Sequence, residues 1–291
     1  VESLLRIDGL GISFGGLSAL DAVSLSVGPG EVLGVIGPNG AGKTTLFNAV
    51  CGFVRPAAGT LRWQDRALPW PRPHQLARLG IARTLQGLGL FPRLTVLENV
   101  MVGATRHARA GFASALLGLP RSDRDERLLR HRSLAVLREL GVVDCAGRLP
   151  GELPYGVRKQ VALARALVGE PRLLLLDEPA SGLSEDGMRE LGEVIAGLRE
   201  RMAVVLVEHH MDLVMRVCDR VLVLDFGKVI AHGTPDEVRD DPLVTEAYLG
   251  DEVGEVGEVG EVDEVGEGIA AAPSGGAAPA PGGPGKESPR A

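Results

Sequence analysis

The stretch G-P-N-G-A-G-K-T-T, Gly37 to Thr45, decides the fold, because it follows the apolar run V-L-G-V-I and opens the helix-compatible L-F-N-A-V-C-G. The pattern G-x-x-x-x-G-K-[ST] between a strand and a helix is a P-loop. Its glycines let the backbone curl until successive N–H groups and the following helix N-terminus face a nucleotide's phosphates. The whole run Gly37, Pro38, Asn39, Gly40, Ala41, Gly42, Lys43, Thr44 and Thr45 is therefore read as nucleotide-binding. Lys43 is expected to reach the β- and γ-phosphates and Thr44 to hold Mg²⁺. An ordinary Gly-rich turn seldom carries a Lys and two hydroxyls at these places.

The second half of the site lies far downstream, in R-L-L-L-L-D-E-P, Arg172 to Pro179. An apolar run of this kind suits a central parallel strand covered on both faces. It places Asp177 at the carboxyl end of the strand, where nucleotides bind in open α/β sheets. Asp177 is expected to fix Mg²⁺ through water, and Glu178 to polarise the attacking water. Alone, a D-E pair after a strand reads as a helix cap or a solvated pair. With the P-loop upstream it reads as the acidic half of an ATP site.

Further motifs follow in a fixed order: Phe14, the P-loop, Gln86 in I-A-R-T-L-Q, L-P-Y-G-V at Leu153 to Val157, L-L-L-L-D-E-P, S-G-L-S at Ser181 to Ser184, and His209 in L-V-E-H-H. In that order they resemble the ATP-binding subunit of ABC transporters over residues 1–250. Within that family, F-G-G-L-S-A-L-D-A-V-S-L, the L-P-Y-G form of the signature and the ending H-G-T-P-D-E-V-R-D-D-P-L-V-T-E-A-Y-L-G are most similar to the ATPases of branched-chain amino acid importers.

The resemblance implies roles that spacing alone does not. Phe14 stacks on adenine, although simple core packing is the alternative for that ring. Gln86 contacts Mg²⁺ and the attacking water, His209 contacts the γ-phosphate, and Tyr155 and Gly156 of the signature face the γ-phosphate held by a second subunit. It also implies ATP and Mg²⁺ as cofactors and a second ATPase subunit, the same or a homologous chain. Two transmembrane permease subunits follow as partners, with an external solute-binding protein as an indirect one and the cytoplasmic face of the membrane as the location. Two departures stand out. Val157 replaces the usual polar residue, and Ser184 replaces Asp or Asn in the Ser181–Ser184 loop, which the resemblance implies crosses to the second subunit; His210 stands where an acidic residue is usual and receives no role.

Composition agrees with one nucleotide-binding unit and a tail. Of the 291 residues, 45% are hydrophobic, enough for a full core, and no apolar stretch approaches the ~20 residues of a membrane span. Cys51, Cys145 and Cys218 are too far apart in sequence for metal-ligand spacing and read as reduced core residues. The net charge of -7 belongs to the tail: residues 251–291 hold nine acidic and two basic residues, leaving 29 of each sign before them. No basic surplus points to nucleic acid. The tail, built on E-V-G repeats and then Gly, Pro and Ala, has a period of three that fits neither helix nor strand, and reads as disordered.

The predicted fold class is α/β: a P-loop ATPase core with a parallel sheet, an added antiparallel β subdomain, a helical subdomain at about residues 87–165, and a disordered acidic tail. L-L-R-I-D-G-L and D-A-V-S-L-S-V read as strands of the antiparallel sheet, and R-D-E-R-L-L-R-H-R-S-L-A-V-L-R-E-L-G as an amphipathic helix presenting Leu129, Val136, Leu137 and Leu140. Thr234, Pro235 and Glu237 read as a helix start. Other readings stay open: an importer of urea or short amides, a non-transport ABC ATPase, or a poorly hydrolysing subunit of a heterodimer.

Overall fold

The computed structural model describes residues 3–84, 88–107 and 120–255. Gln86 and residues 256–291 lie outside the described residues, as does most of the segment before the amphipathic helix.

Two sheets form the scaffold. A four-stranded antiparallel sheet has the order β2-β1-β4-β5, from β1 (Leu5–Phe14), β2 (Leu17–Val27), β4 (Ala58–Trp63) and β5 (Arg66–Leu68). Between β1 and β2 the two residues Gly15 and Gly16 both have positive φ, 54° and 90°, as a tight hairpin turn requires. Phe14 is thereby held at the hairpin tip, 52% exposed.

The second sheet has the order β10-β9-β3-β8-β7-β6. It comprises β3 (Val32–Ile36), β6 (Ile81–Arg83), β7 (Leu173–Asp177), β8 (Ala203–Val207), β9 (Arg220–Asp225) and β10 (Lys228–Gly233). All its ladders are parallel except β9 with β10. V-L-G-V-I and L-L-L-L-D are buried along their whole length, as strands covered on both faces must be.

Strand alternation sorts these residues into two cores. Val32, Ile36, Leu174, Leu176, Val204, Leu206, Val221 and Val223 point to one, while Leu33, Val35, Leu173, Leu175, Val205, Val207, Leu222 and Leu224 point to the other. The second core is closed by α1 (Lys43–Val50), through Leu46, Phe47, Ala49 and Val50, and by the antiparallel sheet, with Leu76 of the short α2 (Leu76–Leu79). The first is closed by α3 (Val96–Gly103), α4 (Pro120–Glu139), α5 (Tyr155–Leu167), α6 (Glu185–Leu198) and α7 (Met211–Val217), with Val238 of α8 (Pro235–Arg239) and Val244 of α9 (Pro242–Glu255).

The amphipathic reading of α4 holds: Leu137 and, just past the helix, Leu140 are buried, while Leu129 and Val136 pack half-buried against the same core. Thr234 accepts from Glu237 N while Glu237 accepts from Thr234 N, and Pro235 opens the helix. The last helix continues to Glu255, past the composition boundary at Gly250, because D-E-V-G-E extends its turns. Cys51 and Cys218 are buried free thiols, and Cys145 is half-buried. Among the described residues no helix is long and apolar enough to cross a membrane.

Candidate functional site

The P-loop connects β3 to α1 at the carboxyl end of the parallel sheet. Gly37 has φ 145° and lies so close to the Leu224 carbonyl oxygen that a Cβ would overlap it. Gly42, the residue before α1, has φ 104°, and a Cβ there would sit 2.6 Å from Leu20 Cδ2 and 2.7 Å from Ala19 O. Both positions need glycine for backbone angle and for space. Lys43 Nζ donates to Gly37 O at 2.5 Å and Pro38 O at 2.8 Å, so its ammonium is folded over the loop. Asn39, Gly40 and Thr44 are exposed, whereas Ala41 is buried and Thr45 half-buried.

Asp177 closes β7 with its side chain 2% exposed. Arg83, at the end of the neighbouring strand β6, donates to Asp177 Oδ2 at 2.6 Å and to Asn48 Oδ1 of α1 at 2.7 Å. Its guanidinium lies 5.6 Å from the Phe47 ring centroid and 6.0 Å from that of Phe53. Thr84 Oγ1 accepts from Asp177 N at 3.3 Å. The edge strand thus grips the carboxylate from the side.

Glu178 has φ 47°, a left-handed conformation unusual for a residue with a side chain, and costing about 1–2 kcal/mol. Three bonds hold it and its neighbour. Glu178 N donates to Val207 O at 2.9 Å, while Lys159 of α5 donates to Glu178 O at 3.2 Å and Pro179 O at 2.7 Å. Burial lowers the Lys159 pKa, and the nearby carboxylates of Glu208 and Glu178 oppose that shift. These bonds hold the main chain in a sharp turn immediately after Asp177.

Beyond β8, Glu208 is fully buried. Its Oε1 accepts from Ala180 N at 2.6 Å; its Oε2 accepts from His209 N at 3.0 Å, His210 N at 3.2 Å and His210 Nδ1 at 2.9 Å. The two imidazole ring centroids lie 4.0 Å apart with the planes tilted by 40°, His209 with its side chain 53% exposed and His210 31%. His210 is therefore a partner of Glu208 rather than a residue without a place.

The signature occupies the start of α5, with Pro154 immediately before the helix. Tyr155 is 38% exposed, its ring centroid lies 5.4 Å from Lys159 Nζ, and its ring lies beside Gly182 of the Ser181–Ser184 loop, where an added Cβ would sit 3.1 Å from Tyr155 Cε1. Val157 packs half-buried against the first core, which explains an apolar residue there. Ser184 caps α6, its Oγ accepting from Gly187 N at 3.3 Å ahead of Glu185 and Asp186 in the first turn. An Asp or Asn would perform the same capping, so the departure at this position is locally conservative.

The structure thus gathers the P-loop, Asp177, Glu178 and His209 around the carboxyl ends of adjacent strands, where β3, β7 and β8 lie side by side. Sequence reasoning missed Arg83, Lys159 and Glu208. For Glu208 a signal existed: a carboxylate directly after the wholly apolar A-V-V-L-V is buried with its strand and needs partners.

Comparison with known proteins agrees with this geometry. The ABC transporter family model matches residues 20–181, and the model of the branched-chain amino acid ATP-binding cassette transporter C-terminus matches residues 228–254. The chain is 40% identical over 252 residues to the high-affinity branched-chain amino acid transport ATP-binding protein LivG of Escherichia coli, covering 86% of this chain and 99% of the relative. It is 39% identical over 250 residues to BraF of Pseudomonas aeruginosa, which bears the same description, covering 85% and 98%. Among solved structures, the ADP conformation of MJ1267, an ATP-binding cassette of an ABC transporter, is similar with a TM-score of 0.74 and 30% identity, covering 86% of this chain and all of that one.

Proposed function

Because this chain belongs to the ATP-binding subunits of ABC transporters, with the branched-chain amino acid importer group among its relatives, we propose how its residues divide the work of an importer ATPase. The observation that carries the reading is the shared rim of Gly37–Thr45, Asp177, Glu178 and His209 at the ends of three adjacent parallel strands.

Phe14, exposed at its hairpin tip, offers a face to adenine. The main-chain N–H groups of the P-loop and the N-terminus of α1 bind phosphate oxygens, and Lys43 exchanges its two carbonyl bonds for them. Thr44 and Asp177 are the oxygen ligands on this rim that fit a hard cation, with Gln86 as the third member of the set. When bound, Mg²⁺ neutralises phosphate charge. Glu178 accepts the proton of the attacking water, and His209 holds the γ-phosphate. Tyr155 and Gly156 present the start of α5 to the site of a second ATPase subunit. Two permease subunits receive the resulting motion at the cytoplasmic face, and a hydrophobic amino acid delivered by an external binding protein is the solute.

Affinity capture of the tagged chain from native membranes tests this, with mass spectrometry of partners and ATPase assay of the eluate. Two permeases, an ATPase partner and activity abolished by Glu178→Gln are expected. Capture of ribosomes or nucleic acid without permeases overturns the reading.

A further inference from the structure

Glu208 is a carboxylate with no access to solvent, it lies outside the set assigned to phosphate, metal or water, and both its oxygens are engaged. Its partners belong to two different loops. Oε2 takes the main-chain N–H groups of His209 and His210 and the His210 imidazole, all on the loop that carries the γ-phosphate histidine. Oε1 takes Ala180 N, which opens the turn continuing into Ser181–Ser184. That turn is closed on itself by Leu183 N to Ala180 O at 2.9 Å and Ser181 N to Glu178 O at 3.2 Å. An ionised carboxylate only accepts, so it pairs with the His210 tautomer that has its hydrogen on Nδ1.

We propose that Glu208 is a positioning residue that couples the γ-phosphate histidine to the loop facing the second subunit, with His210 as its side-chain brace. The inference rests on the ATPase reading above. A displacement of His209 toward phosphate pulls on Oε2, and the planar O–C–O of the carboxylate transmits it to Ala180 N, 2.6 Å from Oε1. The bonds are charge-assisted and shielded from water, the setting in which such contacts are strongest. Lys159 adds a third attachment from α5 to the carbonyls between Glu178 and Ala180, so the signature helix rides on the same segment.

The test is hydrogen exchange by mass spectrometry on the full chain with and without Mg²⁺ and a slowly hydrolysed ATP analogue. Wild type should show nucleotide-induced slowing in peptides covering both Gly37–Thr45 and Ala180–Ser184. Glu208→Gln keeps the shape but turns one acceptor into a donor. It should retain the slowing at Gly37–Thr45 and lose about tenfold of it at Ala180–Ser184, the scale of one charge-assisted bond. Equal slowing at Ala180–Ser184 in wild type and variant overturns the coupling. Absence of slowing at Gly37–Thr45 in wild type overturns the nucleotide reading instead. Where Glu208→Gln does not fold, His210→Ala removes only the brace; a partial loss at Ala180–Ser184 supports the proposal, and an unchanged profile overturns it. In turnover assays Glu208→Gln should lower kcat while leaving KM for ATP within about twofold, since the interaction lost acts after binding.

Discussion

Arg83 and Asp177 form a buried ion pair at 2.6 Å, with side chains 10% and 2% exposed, across the β6–β7 ladder. The carboxylate expected to serve Mg²⁺ thus has a resident cation supplied by the strand that leads to Gln86. A buried pair contributes little compared with an apolar replacement of both partners, but removing one partner leaves an uncompensated charge. Arg83→Met should therefore lower unfolding free energy by about 3–5 kcal/mol. The urea midpoint near neutral pH checks this, with Arg83→Lys falling between because it keeps the charge and loses the second bond to Asn48. A midpoint equal to wild type for Arg83→Met would show that Asp177 needs no counter-charge.

Glu178→Gln should reduce kcat by about 10²–10⁴-fold, the contribution of a general base, with KM for ATP little changed. Lys43→Ala should instead abolish binding of a fluorescent ATP analogue. A Glu178→Gln chain that hydrolyses at the wild-type rate would remove the assignment of that carboxylate.

Two glycines of the same loop should behave differently. At Gly37 a Cβ overlaps the Leu224 carbonyl oxygen, so Gly37→Ala must displace β9 or the loop, and nucleotide binding should be lost with a clear drop in Tm. At Gly40, with φ 79° and no heavy atom within 4 Å of the added Cβ, only backbone strain is added, and Gly40→Ala should cost about 1–2 kcal/mol. Parallel melting curves and nucleotide titrations separate the two.

Burial raises the Cys51 thiol pKa to about 11, against the opposing charge of Arg83, and that of Cys218 to about 12, with Asp219 and Glu208 adding to the effect of burial. In the unfolded chain both ionise near the ordinary thiol value of 9.0. The folded state holds more protons above that value, so stability is full below pH 9 and falls as pH rises toward 11 and 12, at about 1.4 kcal/mol per pH unit for each thiol. Urea midpoints across pH 8 to 11 read the slope in wild type and in Cys51→Ala/Cys218→Ala, where it should flatten. At pH 8 an alkylating reagent should modify Cys145 first.

Ser184→Ala should destabilise by about 1 kcal/mol through loss of the α6 cap, whereas Ser184→Asp should be neutral or stabilising. An equal effect of both would mean that the hydroxyl serves something other than the helix.

Much of this arrangement was legible because the relevant signals are local. V-L-G-V-I and L-L-L-L-D are too apolar and too short to be anything but covered strands, and the glycines and lysine between β3 and α1 state their purpose in nine residues. T-P-D-E gave the start of α8 in the same way. What stayed hidden depends on contacts distant in sequence: Arg83 meets Asp177 only after β6 pairs with β7, and Glu208 meets Ala180 only after β8 pairs with β7 on its other side. Lys159 carries no local signal, because its carbonyl partners lie on a different element. Val157 and Ser184 looked like defects beside a family pattern, yet each has local work, one in packing and one in capping.

The sorting of strand residues into two cores has a consequence for how the halves of the molecule communicate. Each buried side chain of β3, β7, β8 and β9 is committed to a single face, so the sheet is a partition: α1 and the antiparallel sheet stand on one side, α3 to α7 on the other. Close packing makes such a wall stiff, so it passes strain as a body and not by rearranging side chains within it. Hydrogen-bonded side chains that can rearrange lie along the edge where the strands end. Arg83, Glu178 and Glu208 all lie along that edge, each at or just beyond the last residue of its strand.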